Sequence, residues 1–296
     1  MQATSPRLKQ RKITTKIKAD YRKGFLMRKI QNIISIFMLV TFLGVLLVIL
    51  SMNAACSPLK YEDFESGDFK YRLYKETPTN VDVVAFSQNC LDTEEKTAII
   101  PPYVNGKIVN GLGVQIYIGT SHLYSPTVES LYIPYTINHT TKDLMNTDSL
   151  KKMVISSNQL IDYMLEDNNE FSVCATENTK YYISSFAYED ENVKKLITEQ
   201  WAQYDIIPAN TSFMFNFENS PNNDYFFIDN FNYGAKINDT PYTPTRDGYT
   251  FGGWYKEPAC ISVWDFHMDK LPMEHSDEES NVVYQETKLY AKWIKN

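Results

Sequence analysis

The side chains that most often carry chemistry in proteins are few and scattered along this chain. The four histidines are His122, His139, His267 and His275. Two of them fall in the acidic segment 267–285, where a metal site is conceivable. No ligand spacing repeats there, which favours a solvated cluster of charges. The cysteines after position 56 are Cys90, Cys174 and Cys260, and their spacing fits neither a zinc site nor a redox motif. We therefore expect no metal and no cofactor.

Sequence motifs for catalysis are also missing. The chain has no phosphate-binding loop, no dinucleotide fingerprint and no nucleophile elbow. The segment "EDNNE" at 166–170 lacks the glycine and the final glutamate of a calcium loop. A carboxylate pair for glycoside hydrolysis stays open, because a sequence does not give the separation of two carboxyl groups. We expect a protein that is not an enzyme. The alternative is an exported hydrolase or a glycan-capturing accessory lipoprotein, with its site within residues 80–185.

Charge is distributed unevenly along the 296 residues. Residues 1–29 hold ten of the 29 Lys and Arg and one of the 36 acidic residues, which leaves a net charge of −16 on residues 30–296. An acidic body disfavours nucleic acid as a partner, since that binding depends on Lys and Arg at phosphates. The basic segment 1–29 instead precedes a stretch suited to a membrane.

That stretch, residues 30–55, predicts a signal peptide or a membrane anchor. No charged residue occurs from Ile30 to Leu59, and about 20 apolar residues are enough to span a bilayer as a helix. A buried helix of a soluble protein is the alternative. The excess of Lys and Arg on the N-terminal side predicts that segment 1–29 is cytoplasmic and that the acidic body lies outside.

The apolar stretch ends in "NAAC", residues 53–56. A basic start, an apolar run and small residues before a cysteine resemble a bacterial lipoprotein signal peptide. The resemblance implies cleavage before Cys56 and acylation of its thiol. An uncleaved signal-anchor helix is the alternative, and Met27 would provide a compact second start. Both anchors place the body on the outer side of the cytoplasmic membrane.

Residues 56–80 are polar and charged, and we interpret them as a tether running into a first strand. Short β segments follow. "VESLYIP" (128–134) and "LKKMVIS" (150–156) lie 22 residues apart, and "TAIIPPYVNGKIVNGLG" (97–113) also ends a strand in Ile-Pro. These fragments resemble the bacterial surface-antigen, Treponema-type, leucine-rich repeat, and a generic β-rich domain is the alternative. Residues 81–207 are thus expected to form a leucine-rich-repeat-like domain.

One amphipathic helix is predicted within that domain. In "EDENVKKLITEQWAQY", the apolar residues Val193, Leu196, Ile197 and Trp201 form one stripe at helical spacing. Acidic residues crowd its start, where they favour the positive end of the helix dipole. We expect this helix to close the end of the repeat array.

The C-terminal part, residues 208–296, has a different composition. Residues 212–293 hold 18 of the 41 aromatic residues and three of the four tryptophans. The series "YGAKINDTPYTPTRDGYTFGGWYKEPACISVWDF", followed by "ETKLYAKWIKN", closely resembles the Listeria–Bacteroides repeat, the internalin B-type repeat. That resemblance implies a small β-grasp-like fold. The acidic segment 267–285 is longer than the pattern usually has there.

Four residues of this series are expected to hold its shape. Gly248 follows Asp247 in a tight turn that needs a positive φ. Gly253 lets backbone approach closely beside Trp254, the large core residue, and Trp293 belongs to the final strand. Aromatic side chains bury much area, which a small domain needs. The series is therefore expected to give shape rather than catalysis.

Taken together, these features predict a mainly β protein with few helices, anchored outside the cytoplasmic membrane by lipid or by a helix. The expected partners are the membrane and an unknown extracellular protein or glycan. The expected role is adhesion, contact or spacing at the bacterial surface. Tyr132 is the candidate interaction residue, because it is a non-core alternate of its strand and exposed tyrosines often anchor interfaces. Asp277 and Glu278 are secondary candidates.

Overall fold

The computed structural model of the protein describes residues 61–93, 96–113, 123–140, 149–166 and 178–296, together with residues 38, 39 and 41. The predicted segments 1–29 and 30–55, those three residues apart, and Cys56 thus lie outside the described residues. Within the described part of the chain, no helix is long and apolar enough to cross a membrane. Tyr61–Asn296 forms one compact unit.

Strands dominate the part of the chain that the structure describes, which confirms the prediction of a mainly β protein with few helices. The first eight strands are β1 (Tyr61–Ser66), β2 (Phe69–Tyr74), β3 (Asn80–Phe86), β4 (Thr97–Ile99), β5 (Tyr103–Val104), β6 (Lys107–Leu112), β7 (Ser130–Ile133) and β8 (His139–Thr140). The next seven are β9 (Lys152–Ile155), β10 (Lys180–Ile183), β11 (Asp205–Pro208), β12 (Thr211–Met214), β13 (Tyr225–Asp229), β14 (Tyr249–Tyr255) and β15 (Thr287–Lys295). The helices are α1 (Gln88–Asp92), α2 (Asn158–Glu166), α3 (Ser185–Glu189) and α4 (Glu191–Glu199).

The first sheet has the strand order β1-β2-β3-β6-β5, with β8 beside β6. β1 and β2 pair in antiparallel fashion around Gly67, which has a φ of 57°. Phe69 and Tyr71 of β2 are buried, and Arg72 on the other face donates to Asp63 at 2.7 Å. The segment 56–80, predicted to be a tether running into a first strand, therefore already contains two complete strands.

The second sheet is parallel throughout, in the order β11-β10-β9-β7-β4. Its strands lie side by side in chain order, although β5, β6 and β8 of the first sheet fall between them in the sequence. The paired positions are Thr97, Ser130, Lys152, Lys180 and Asp205, 22 to 33 residues apart. Parallel neighbours need a crossover of a dozen or more residues, and each interval supplies one. Every second residue points into one core, as Ala98, Leu131, Met153, Tyr181 and Ile206 do, each no more than 6% exposed.

The predicted amphipathic helix is present as α4. Asp190 caps it by accepting from the backbone N–H groups of Asn192 and Val193 at 2.8 and 3.2 Å, and Val193 and Leu196 are buried. The helix does not end the parallel sheet, because β11 follows it and pairs with β10. The prediction that α4 closes the end of the sheet is therefore wrong, because β11 lies there.

The third sheet, in the order β13-β12-β15-β14, holds the aromatic C-terminal segment. β12 and β15 pair in parallel at its centre, and the outer pairs are antiparallel. Its core contains Phe213, Phe215, Phe226 and Trp254, each less than 3% exposed. Trp254 packs edge-on against Phe213, with ring centroids 4.9 Å apart, and donates from its indole nitrogen to Asp239 at 2.9 Å.

The glycine pair at 252–253 makes a bulge in β14. Phe251 pairs with Trp293 and Trp254 pairs with Ala291, so that three steps on β14 oppose two on β15. Gly253 has a φ of 100°, which favours glycine. The extra residue places Phe251 and Trp254 in contact, with ring centroids 5.1 Å apart. Trp293 contacts Phe251 from β15 at 6.0 Å.

Trp254→Ala should lower the free energy of unfolding by about 3–5 kcal/mol, the usual loss for a truncated core tryptophan. The substitution removes ring contacts and leaves the carboxylate of Asp239 without its indole donor. Urea denaturation followed by circular dichroism measures the change. Phe186→Ala, at a side chain that is 52% exposed, is the control and should change stability by about 0.5 kcal/mol or less. Equal losses in the two variants would contradict the assigned core.

Gly248→Val should lower the free energy of unfolding by about 1–2 kcal/mol, because a β-branched residue is strained at positive φ. Gly248 has a φ of 78°, and no atom lies within 4 Å of the position a Cβ would take, so backbone strain is the cause to be tested. Gly248→Asn is the matched control, since asparagine tolerates this region better. The turn assignment fails if valine and asparagine give the same stability.

Candidate interaction site

The outer face of the parallel sheet is covered by the third sheet. Val154 of β9 and Tyr182 of β10 pack with Met214, Tyr225 and Ile228, and all five are no more than 7% exposed. Only Ala209 and Asn210 separate β11 from β12, so the chain passes directly from one sheet onto the face of the other. The two sheets therefore meet in an apolar junction, and the parallel sheet has protein on both faces.

An ion pair lies at the border of this junction. Lys152 of β9 donates to the carboxylate of Asp229 on β13, and the two side chains are 22% and 8% exposed. The lysine ammonium lies 5.3 Å from the ring centroid of Tyr132, 5.6 Å from that of Tyr182 and 5.8 Å from that of Phe231. Such distances permit cation–π attraction. The ion pair and the three aromatic rings thus form one cluster that links the parallel sheet to the third sheet.

Burial sets the protonation behaviour of this group. Burial raises the pKa of the Asp229 carboxyl above its usual range, and the Lys152 ammonium partly opposes that shift. Burial likewise raises the pKa of the Tyr132 hydroxyl. That hydroxyl therefore stays protonated and donates to Asp229 at 3.2 Å, beside the backbone N–H of Asn230 at 2.7 Å.

The structure corrects the prediction that Tyr132 is exposed. Its ring stacks on Phe227 of β13 with centroids 5.8 Å apart and planes 15° apart, and its hydroxyl is engaged by Asp229. Strand alternation separates two faces of a sheet, but it does not reveal that a later domain covers the second face. A signal was present in "KMVI" and "KYYI", because three successive apolar residues indicate a strand buried on both sides.

A second polar contact fixes the junction through two asparagines. The backbone N–H of Asn158 donates to the side chain of Asn222 at 2.7 Å, and Asn222 donates back to the carbonyl of Ser156 at 2.6 Å. Asn222 also donates to the carbonyl of Tyr225 at 2.7 Å. Both asparagines are at most 5% exposed, and buried amides are stable only when hydrogen-bonded. Sequence reasoning singled out neither of them, nor Lys152 and Asp229.

The side chains considered for chemistry lie apart from one another. His139 lies 3.6 Å from Asp82, and His267 and His275 are exposed in the acidic segment, whereas His122 and Cys174 lie outside the described residues. In the parts of the chain that the structure describes, no three His, Cys, Asp or Glu side chains form a group able to hold a metal. Cys90 is a buried thiol and Cys260 a half-buried one.

The acidic segment forms a small hairpin. Ser276 and Val282 form a bridge, and the tip carries Asp277 and Glu278, both exposed. The Asp277 carboxylate accepts from the backbone N–H groups of Asn281 and Glu279 at 2.8 and 2.9 Å, and these bonds lower the pKa of that carboxyl. Asp277 therefore holds the turn, while Glu278 is presented to solvent.

Comparison with known proteins identifies the C-terminal part of the chain. Residues 213–292 match the Listeria-Bacteroides repeat domain, which confirms the resemblance seen in the sequence. A segment of 34 residues is 50% identical to internalin H of Listeria monocytogenes, and this match covers 12% of the present chain and 6% of internalin H. No solved structure matches the chain.

Lys152→Met should destabilise the protein at pH 7, and the loss should shrink as the pH is lowered towards about 5. The variant leaves a buried carboxylate without its charge partner, a change that typically costs about 3–5 kcal/mol; partial exposure of Lys152 places the expected loss at the lower end. The pKa of Asp229 is already above its unfolded-state value, and removing the ammonium raises it further. A carboxyl with a raised folded-state pKa favours folding at low pH and loses that contribution as the pH rises through the folded pKa.

Urea denaturation at pH 5 and pH 7 measures this effect. Lys151→Met is the matched control, because Lys151 is the neighbouring lysine, 67% exposed, in a surface pair with Glu129. Surface pairs contribute about 0–1 kcal/mol, so this variant should change little. A loss in Lys152→Met that is the same at both pH values would show that Asp229 is not the buried partner.

Proposed function

We propose that the chain is a bacterial cell-surface protein that acts by binding other molecules and carries out no reaction. The observation that carries this proposal is the Listeria-Bacteroides repeat domain at residues 213–292, together with the similarity to internalin H over 34 residues. The aromatic and glycine residues of that domain serve its core and its turns. They favour a role in shape and display.

A leucine-rich-repeat-like region before that domain is part of the same proposal. The support is the parallel sheet, in which five strands follow one another in chain order at intervals of 22 to 33 residues. Each interval adds one short strand to this sheet, as in repeat proteins, whose units stack against their nearest neighbours; the first two intervals also carry β5, β6 and β8 of the first sheet. On this view the C-terminal domain covers the outer face of the repeat region at β9 and β10.

The outer face of the sheet is engaged within the chain, so a partner would bind elsewhere on the unit. The candidates are the exposed tip at Glu278, and the surfaces beside the first sheet. Tyr132 would contribute to binding only indirectly, by fixing the junction. The alternative of an exported hydrolase rests on carboxylates of residues 80–185. Among them, Asp82 is paired with His139, and Glu129 is paired with Lys96 and Lys151.

The anchor is proposed to be lipid on Cys56, on the basis of "NAAC" after the apolar run. Intact-mass analysis of protein extracted from membranes should show that residues 1–55 are missing and that lipid mass is added. Cys56→Ser should abolish acylation, and the full-length chain should then accumulate. Cys260→Ser is the matched control, because Cys260 lies in the C-terminal domain, and it should process normally.

Mild protease treatment of intact cells tests the location in the same cultures. Peptides from 61–296 should be released, while a cytoplasmic marker stays intact. Recovery of the wild-type chain at its full length with no lipid mass would replace lipidation by a helical anchor. Protection of 61–296 until the cells are lysed would overturn the surface location itself.

A further inference from the structure

A cleft lies where the first sheet, the start of the parallel sheet and the C-terminal domain meet. Its volume is about 420 Å³, within the range of about 300–1,000 Å³ that small ligands fill. The walls come from the turn between β1 and β2, from the segment 99–105 and from Pro241 and Tyr242. Three separate parts of the chain therefore build the cleft. Neither Lys152 nor Asp229 of the ion pair belongs to its lining.

Four aromatic side chains belong to the lining of the cleft. Tyr103 is 45% exposed and Tyr242 is half-buried, so both present ring surface to the cleft, while Phe69 and Tyr71 lie buried beneath them. Tyr242 is held from behind by Phe226 and Phe227, with ring centroids 5.3 and 5.9 Å away. Tyr242 is thus a fixed platform, and Tyr103 is held by a hydrogen bond between its hydroxyl and that of Tyr135 at 3.3 Å.

One polar atom at the floor has an unmet hydrogen bond. The hydroxyl of Tyr71 is buried and has no hydrogen-bond partner among the described residues, although the side chain lines the cleft. Buried polar groups in folded proteins are nearly always hydrogen-bonded, and an exception calls for an explanation. With no accessible surface, this hydroxyl does not contact a ligand in the cleft, so the rings and the rim carry the choice of ligand.

The rim carries polar groups on tight turns. Ser66 and Asp68 flank Gly67, and this turn is fixed by Ser87, whose hydroxyl donates to the Gly67 carbonyl and whose N–H donates to the Asp68 carbonyl, both at 2.8 Å. Asn105 lies opposite, in the two-residue turn of the β5–β6 hairpin, at a φ of 51°. Because the turns are fixed, these side chains are presented without a large ordering cost.

The charges of the lining select the class of ligand. No Lys, Arg or His occurs among the described residues that line the cleft, and the body of the protein is strongly acidic, so phosphates and other anions are disfavoured. Ring platforms pack against the C–H faces of a sugar, and serine, asparagine, aspartate and tyrosine groups match its hydroxyls. Ring faces would also attract an ammonium group, so choline is used below as the competitor that separates the two kinds of ligand.

We propose that this cleft binds a neutral glycan, with Tyr103 and Tyr242 as the stacking platforms and Ser66 and Asn105 as hydrogen-bonding groups. The assignment deepens the proposed function and rests on it, because it supplies the ligand class that a surface-binding protein requires.

Isothermal titration of the protein extracted from membranes, kept in a detergent without a sugar head group, tests the proposal with chitotetraose, cellotetraose and maltotetraose as probes. At least one of them should bind, and Tyr103→Ala should weaken that binding tenfold or more. Tyr103→Phe keeps the ring and should stay within about threefold of the wild type. Tyr124→Ala is the matched control, since Tyr124 is 57% exposed and lies outside the cleft; it should bind as the wild type does. Circular dichroism verifies that each variant is folded.

Three outcomes would overturn the assignment: no binding of any of the three probes, binding that Tyr103→Ala leaves unchanged, or displacement of the bound sugar by choline at equal concentration. None of these affects the surface location, which the protease experiment tests separately. Hydrolysis of a bound probe would keep the cleft as a glycan site and overturn the proposal that the protein carries out no reaction.

Discussion

The structure depends on one contact, the apolar junction in which the third sheet covers the outer face of the parallel sheet. A parallel sheet is stable when both faces are covered. Here the inner face shares one core with the first sheet and with helices α2 and α4, and the outer face packs on Met214, Tyr225 and Ile228. Without that cover, Val154 and Tyr182 would face water. The fold of residues 61–296 as one unit follows from this requirement.

Polar groups make the junction specific. Apolar contact alone permits small slips between two sheets, whereas the buried pair Lys152–Asp229 and the amides Asn158 and Asn222 fit in one register only. A buried charge pair adds little net stability, because desolvation opposes the attraction. Its contribution here is to select one arrangement, and the partly exposed lysine limits the desolvation cost.

The sequence was sufficient to predict an element of the fold when neighbouring residues alone determine that element. Helix α4 follows from an apolar stripe and an acidic cap, and the repeat domain follows from aromatic residues, glycines and turns in a fixed order. The sequence was insufficient when the position of a residue depends on contacts with residues distant in the sequence. β1 and β2 are rich in charged residues because one face of that hairpin is solvated. That composition led to the prediction of a tether in place of two strands. The location of Tyr132 depends on Phe227 and Asp229, nearly a hundred residues later, and no local pattern reveals that pairing. The cleft beside Tyr103 requires three such distant segments, so it also has no local signature.

The two-residue link between β11 and β12 has a consequence for how such proteins diversify. Repeat modules commonly spread by duplication and exchange, which works when each module carries its own complete surface and a tolerant linker. The linker here has only two residues, Ala209 and Asn210, and the side chain of Asn210 donates to the carbonyl of Phe231 at 2.7 Å. A module inserted at this point would separate β12 from the face that it covers. An insertion at this join is therefore expected to destabilise the protein, because the parallel sheet and the third sheet of this chain depend on each other.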